Sequence, residues 1–166
     1  PAIFQGLIND KRLDDYDTST LRSALTGAAS VPVETVMDMR ERLGFETVIT
    51  AYGMTETHGL VTICAADDPP DVVANTSGKA LPGLEIKLVD DDDNEVELGE
   101  PGELLVRGYA VMRGYLDEPE QTAETIDENG WMRTGDIRVM NADGYSDITD
   151  RKNDRFTNGG GKGYTA

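Results

Sequence analysis

The apolar and polar positions change rhythm along the chain. Ile3, Phe4, Leu7 and Ile8 recur at helical spacing and predict a short opening helix, followed by a polar connector from Asn9 to Thr18. Leu21 to Leu25 alternates and predicts a short strand, with Thr26-Gly27-Ala28-Ala29 at its end. Ser30 is a suitable N-cap, Pro32 suits a first turn, and Glu34 suits the positive end of a helix. Val33, Val36, Met37, Met39 and Leu43 then predict an apolar helical stripe that Gly44 closes. Thr47-Val48-Ile49-Thr50-Ala51 predicts a second strand. Strand, helix and strand joined by short loops make a βαβ unit of a mainly parallel sheet, with the Gly27 and Tyr52 turns at the same sheet edge.

Past the polar, proline-containing stretch 67–70 the pattern becomes two-fold. Leu84–Val89, Glu95–Leu98 and Gly102–Gly108 read as strands, punctuated by turns at Pro82-Gly83, Pro101-Gly102 and Asn129-Gly130. Pro119 opens a short acidic helix to about Thr125, Trp131–Ile137 reads as a strand and turn, and Asn141–Tyr145 as a hairpin turn into Ser146–Thr149. The charged run Asp150–Asp154 leads to a flexible end at Gly159-Gly160-Gly161. The fold class expected is α/β: a partial parallel α/β sheet unit over residues 1–70, a small antiparallel β-barrel or roll over 71–150, and the start of a C-terminal domain over 151–166.

Composition narrows the function. A formal net charge of −17 excludes nonspecific binding to nucleic acid or to anionic membrane. Aromatic and β-branched residues persist throughout, so this is not a disordered acidic tail. The apolar fraction of 38% is low for a well-filled globule and predicts some surface meant for a partner or for further chain. No run approaches membrane-spanning length. The single cysteine, Cys64, lies among Val61, Thr62, Ile63 and Ala65 and reads as a buried, inert thiol in a reducing cytoplasm. Asp90–Asp93 fails as an EF-hand loop, because the sixth position is Glu95 and the twelfth is Pro101. It reads as a solvated hairpin turn.

Candidate chemistry gathers at Tyr52-Gly53-Met54-Thr55-Glu56-Thr57-His58-Gly59, directly after the second strand. A ring there can stack on a base, Gly53 admits close backbone approach, a hydroxyl can donate to phosphate and Glu56 can hold Mg²⁺. Ligands of open α/β sheets sit outside the carboxyl ends of strands. The same residues also suit an ordinary strand and turn. Asp136 follows Thr134-Gly135, and a carboxylate so placed can accept two hydrogen bonds from a vicinal diol.

Three separated stretches carry a resemblance. Tyr52–Thr57 resembles the core motif of the adenylate-forming superfamily, which includes acyl-CoA ligases, peptide-synthetase adenylation domains and luciferases. Gly114-Tyr115-Leu116 through Gly130-Trp131-Met132-Arg133-Thr134-Gly135-Asp136 matches a second family pattern and looks more like the CoA ligases. Asp150–Phe156 with Asn158-Gly159-Gly160 resembles the junction between the large domain and the mobile C-terminal domain. The resemblance implies adenine stacking by Tyr52, phosphate contact by Thr55 and Mg²⁺ binding by Glu56. Gly53 lies within the same nucleotide motif, and Gly27, Ala28 and Ala29 would border adenine and the acyl pocket. Asp136 would hold ribose, Arg151 would contact ribose or phosphate, and Asn153 would stand at the hinge. His58 has no fixed family role, and an ionised acid needs no general base.

The implied reaction activates a carboxylic acid, fatty or aromatic, as acyl-AMP with ATP and Mg²⁺, then passes the acyl group to coenzyme A. The family's phosphate loop and its late lysine have no counterpart in the 166 residues, and Lys162 stands in the wrong context for the latter. The chain by itself is therefore expected to be inactive. A non-catalytic AMP- or ATP-binding module, or an acidic interaction module, are the alternatives.

Overall fold

The computed structural model describes residues 1–27, 31–151, 155–158 and 161–164, with side chains as far as residue 147. Ala28, Ala29, Ser30 and Asn153 lie outside the described residues. Two compact units divide the chain: residues 1–52 with 62–79, and residues 53–61 with 80–166.

The first unit is α/β. Helix α1 spans Ala2–Ile8, strand β1 Ser23–Gly27, helix α2 Val33–Glu41, strand β2 Thr47–Tyr52, strand β3 Thr62–Ile63 and helix α3 Pro70–Asn75. β1 and β2 run parallel with Ser23 opposite Thr47 and Gly27 opposite Ala51. This is the βαβ pairing that the sequence predicts. β3 then turns back antiparallel, with Tyr52 opposite Thr62. β1 starts two residues later than the apolar alternation suggests. Ala24 and Thr26 are its buried positions, and Leu25 faces outward.

The cap expected for helix α2 at Ser30 falls outside the described residues. Pro32 is the N-cap residue and provides no side-chain cap. Its fixed φ prearranges the first turn, and helix stability comes from the buried face instead. Thr35, Val36 and Met39 on the helix, with Leu43 beyond it, are buried. Met37 stands 45% exposed, about one helical step off the stripe, which corrects its expected place in the core. The helix stripe packs with Ile8, Ala24, Val31, Phe45, Val48, Cys64 and Val73 into one cluster. Burying each large aliphatic side chain is worth roughly 1.5–3 kcal/mol. Phe4 and Phe45 meet edge to face at 5.9 Å. Cys64 is a free, buried thiol within hydrogen-bond reach of Thr50 Oγ1, at 3.1 Å. The same hydroxyl lies 2.8 Å from the Val73 carbonyl and 2.7 Å from that of Thr76, so its one proton serves the carbonyls and the thiol acts as donor.

In the second unit β5 (Leu84–Val89), β6 (Gly102–Gly108), β7 (Met132–Met140) and β8 (Ser146–Arg151) form an antiparallel sheet in that order. Strand β4 (Lys79–Ala80) precedes it in the chain and belongs to the other sheet, whose order is β1-β2-β3-β4; helix α4 (Pro119–Thr125) lies between β6 and β7, and β9 (Arg155–Asn158) pairs antiparallel with β10 (Gly161–Tyr164). Gly161 thus sits in a strand and not in the expected loose end. The expected strand at Glu95–Leu98 contracts to a single bridge, Val89 to Glu95. The four aspartates form a turn in which Asp90 Oδ1 accepts the amides of Asp92 and Asn94. Strand β6 is buried on both faces from Gly102 to Val106, where alternation predicts one wet face. Being central in the sheet and covered on both sides, it needs apolar residues at consecutive positions.

Candidate functional site

The turn after β2 closes on itself. Thr57 Oγ1 donates to the Met54 carbonyl at 3.0 Å and accepts the Met54 amide at 3.1 Å, and the Gly59 amide donates to the same carbonyl at 2.9 Å. A Cβ on Gly53 would stand 2.2 Å from the Gly59 carbonyl oxygen, so the loop admits only glycine there. Thr57 is fully buried by this work, and Thr55 is left exposed.

Three contacts tie the turn to residues 110–115. The Met112 amide donates to the Glu56 carbonyl at 2.8 Å, and His58 Nδ1 lies 2.8 Å from the Ala110 carbonyl. The Tyr115 hydroxyl donates to Glu56 Oε1 at 3.0 Å. Burial pushes the Tyr115 phenol above its ordinary range, and its bond to the Glu56 carboxylate adds to that rise. His58 therefore serves as a strut in a left-handed turn (φ 54°), where an acceptor carbonyl fixes its ring. One carboxylate with a neighbouring hydroxyl is a thin ligand set for a protein-only cation cage. It suits Mg²⁺, which takes one or two carboxylates and fills the rest of its shell with substrate phosphates and water. The phenol hydrogen bond uses one of about four acceptor positions on the Glu56 carboxylate. Among the described residues no group of three or more acidic, histidine or cysteine side chains forms a metal cluster.

Asp136 and Arg151 are direct cross-strand partners on β7 and β8. Thr134-Gly135-Asp136 is not the end of a strand, as the sequence suggests, but a bulge inside β7. Leu105 pairs with Arg133 and Glu103 with Ile137, so three residues of β7 face Leu104 alone. Gly135 takes φ 73°, and a bulge of this kind bends the strand and re-aims a side chain.

In the first unit Gly27 and Tyr52 end the two parallel strands. A Cβ at Gly27 would come within 2.9 Å of the Ala51 carbonyl, and Tyr52 is buried on the inward face of β2 with Val48 and Thr50.

The family model for AMP-binding enzymes matches residues 1–116, more than half of the chain. The chain belongs to the AMP-binding enzyme family. Among its relatives, one from Rhodococcus jostii is 48% identical over the whole chain, which covers 30% of that relative. It is named as the CoA ligase of a propanoyl group borne on a methylated dioxo-octahydroindene ring system. A long-chain-fatty-acid–CoA ligase of Escherichia coli is 42% identical over 92% of the chain, which covers 27% of that relative. The amide bond synthetase McbA from Marinactinospora thermotolerans has a TM-score of 0.85 at 30% identity, covering 99% of this chain and 33% of that one. Anthranilate CoA ligase AuaEII, solved with anthranoyl-AMP, gives 0.81 at 27% identity, covering 96% of this chain and 30% of its own. The chain thus spans about 30% of the length of the curated relatives it matches. Its α/β unit and antiparallel sheet agree with the fold of these neighbours.

Two residues of the site carry no role in the sequence pattern. Tyr115 was legible only as part of Gly-Tyr-Leu. Glu103 is a lone carboxylate in a run of buried apolar residues, and that isolation is the signal a sequence offers.

Proposed function

We propose that these 166 residues are the part of an AMP-forming acid–thiol ligase that holds the nucleotide during activation of a carboxylic acid and its transfer to coenzyme A. The carrying observation is the closed turn at residues 53–59, which fixes Glu56 against Tyr115 and leaves Thr55 exposed, in a chain of the AMP-binding family. In this reading Tyr52, Gly53, Gly27, Ala28 and Ala29 border the adenine end. Asp136 accepts from the ribose hydroxyls, Arg151 contacts ribose or phosphate, and Asn153 serves as the hinge. Thr55 donates to a phosphate oxygen. Glu56 would hold Mg²⁺, which supplies charge neutralisation as the carboxylate of the acid attacks the α-phosphorus and pyrophosphate leaves. The thiol of coenzyme A then attacks the acyl carbon, and AMP departs with the electrons of the broken mixed-anhydride bond. Residues 1–70, 71–150 and 151–166 correspond in this proposal to the α/β part of the large domain, its β-subdomain and the first piece of the mobile domain.

The acid is proposed to be a fatty or aromatic one. Relatives named for a ring-borne propanoyl group and for long-chain fatty acids support a test panel of both kinds. The buried, unpaired thiol of Cys64 supports a reducing compartment, the cytoplasm.

Two preparations test the reading. The 166-residue chain is expected to release no pyrophosphate with any acid of the panel. The whole protein that carries it is expected to release pyrophosphate only when acid, ATP and Mg²⁺ are all present, and to form acyl-CoA when coenzyme A is added. Absence of acid-dependent pyrophosphate release by the whole protein across fatty, aromatic and ring-borne propanoic acids would sink the proposal.

A further inference from the structure

The bulge that carries Asp136 is held by a buried carboxylate. Glu103 on β6 is only 4% exposed. Its Oε1 accepts the Gly135 amide at 3.2 Å, and its Oε2 accepts Arg133 Nη1 at 2.9 Å. Arg133 is also paired with Asp93. Gly135 and Arg133 flank Thr134, so one carboxylate grips the bulge at two points. Thr134 contributes the other closures: its hydroxyl donates to the Leu104 carbonyl at 2.9 Å and accepts the Asp136 amide at 3.1 Å.

These bonds stand where ladder hydrogen bonds between β6 and β7 are missing. Unpaired buried amides cost about 1–3 kcal/mol each, so a bulge in a central strand persists only when side chains satisfy it. An ionised acceptor makes the stronger kind of bond to an amide and to a guanidinium. A carboxylate is itself costly to bury, and replacing a whole buried ion pair by apolar residues is often neutral for stability, although removing one partner alone is destabilising. Its presence in the middle of an apolar strand therefore calls for a reason other than stability.

We infer that Glu103 is a positioning residue: through the Gly135 amide and Arg133 it fixes the bulge that aims the Asp136 carboxylate, and so sets how strongly the protein reads the ribose diol of a bound nucleotide. This inference rests on the ribose role given to Asp136 above. Glu103 itself touches no nucleotide in it.

The test uses the whole protein and two probes, AMP and an AMP analogue that lacks both ribose hydroxyls. Dissociation constants for each are measured by calorimetry for the native protein and for Glu103→Gln, Thr134→Val and Asp136→Ala. Asp136→Ala is expected to weaken AMP and leave the analogue unchanged, which establishes that the aspartate reads the diol. Glu103→Gln keeps the shape and loses the charge. It is expected to cut the preference for AMP over the analogue roughly tenfold, again with the analogue unchanged. Thr134→Val is expected to act in the same direction, and carries the test if Glu103→Gln does not fold. Equal loss for both probes in the Glu103 and Thr134 variants would mean general damage, and no loss for either would mean no role; each result overturns the inference. If Asp136→Ala itself leaves the preference unchanged, the ribose reading of Asp136 fails first, and the inference falls with it.

Discussion

The Tyr115 hydroxyl donates to Oε1 of Glu56 across 59 positions of sequence, at 3.0 Å. It joins the turn after β2 to the loop before α4, together with the Met112 amide on the Glu56 carbonyl and the His58 ring at the Ala110 carbonyl. A glutamate has three rotatable bonds, so a carboxylate meant for a cation gains from a fixed partner.

Tyr115→Phe removes that partner with little change of shape. A hydrogen bond to a charged acceptor is worth about 1.5–3 kcal/mol when well formed, and partial exposure reduces it here to about 1 kcal/mol. The variant is expected to bind ATP several-fold more weakly in the presence of Mg²⁺ and to bind AMP without the metal as the native protein does. Calorimetric titrations with and without Mg²⁺ check this. Identical behaviour of the two proteins in both titrations would remove Tyr115 from the account of Glu56.

The same contact has a pH signature. The Tyr115 phenol ionises above its ordinary value of 10.0, chiefly because burial disfavours the phenolate and then because Glu56 holds the neutral form. Its folded pKa is raised, so the stability it contributes is fully present below the unfolded value and is lost as pH rises through the folded one. Ultraviolet titration of the tyrosines is expected to show a late-ionising component that disappears in Tyr115→Phe. A native titration curve that matches the variant's after subtraction of one ordinary tyrosine contradicts the contact.

Two glycines make opposite predictions. A methyl group at Gly53 would lie 2.2 Å from the Gly59 carbonyl oxygen, which belongs to backbone and cannot move aside cheaply. Gly53→Ala is expected to cost about 3 kcal/mol or more and to open the 53–59 turn, with loss of nucleotide binding. Gly6 lies inside α1 with no atom within 4 Å of an added Cβ. Gly6→Ala is expected to stabilise by about 0.5–1 kcal/mol through the unfolded chain and better helix propensity. Urea unfolding of both variants gives the signs. A Gly53→Ala variant as stable as the native protein would show that the close approach at Gly53 does not govern the turn, and a destabilised Gly6→Ala variant would contradict the open space at Gly6.

Much of the architecture was legible because hydrophobic periodicity is a local property. The spacing of Val36, Met39 and Leu43 marks the buried side of α2, and the run Thr47–Ala51 marks β2. Pro119 to Thr125 reads as a helix because proline suits a first turn. The errors lie where neighbours decide. Met37 belongs to the apolar stripe by composition, yet it stands exposed because Val36 and Met39 take the side of the helix that reaches the core. Glu95–Leu98 alternates like a strand, but a single bridge is all its partner offers.

By itself the sequence determined the βαβ unit, the antiparallel second half, the acidic surface and the three stretches of adenylate-forming character, because each is written in residue types a few positions apart. Only the tertiary structure decided that Thr134–Asp136 is a bulge and that Glu103 grips it. It alone set the Tyr115 hydroxyl on the Glu56 carboxylate. These depend on register between strands and on contacts across 32 and 59 residues. A one-residue slip of register would redirect every side chain involved, and no local pattern fixes it.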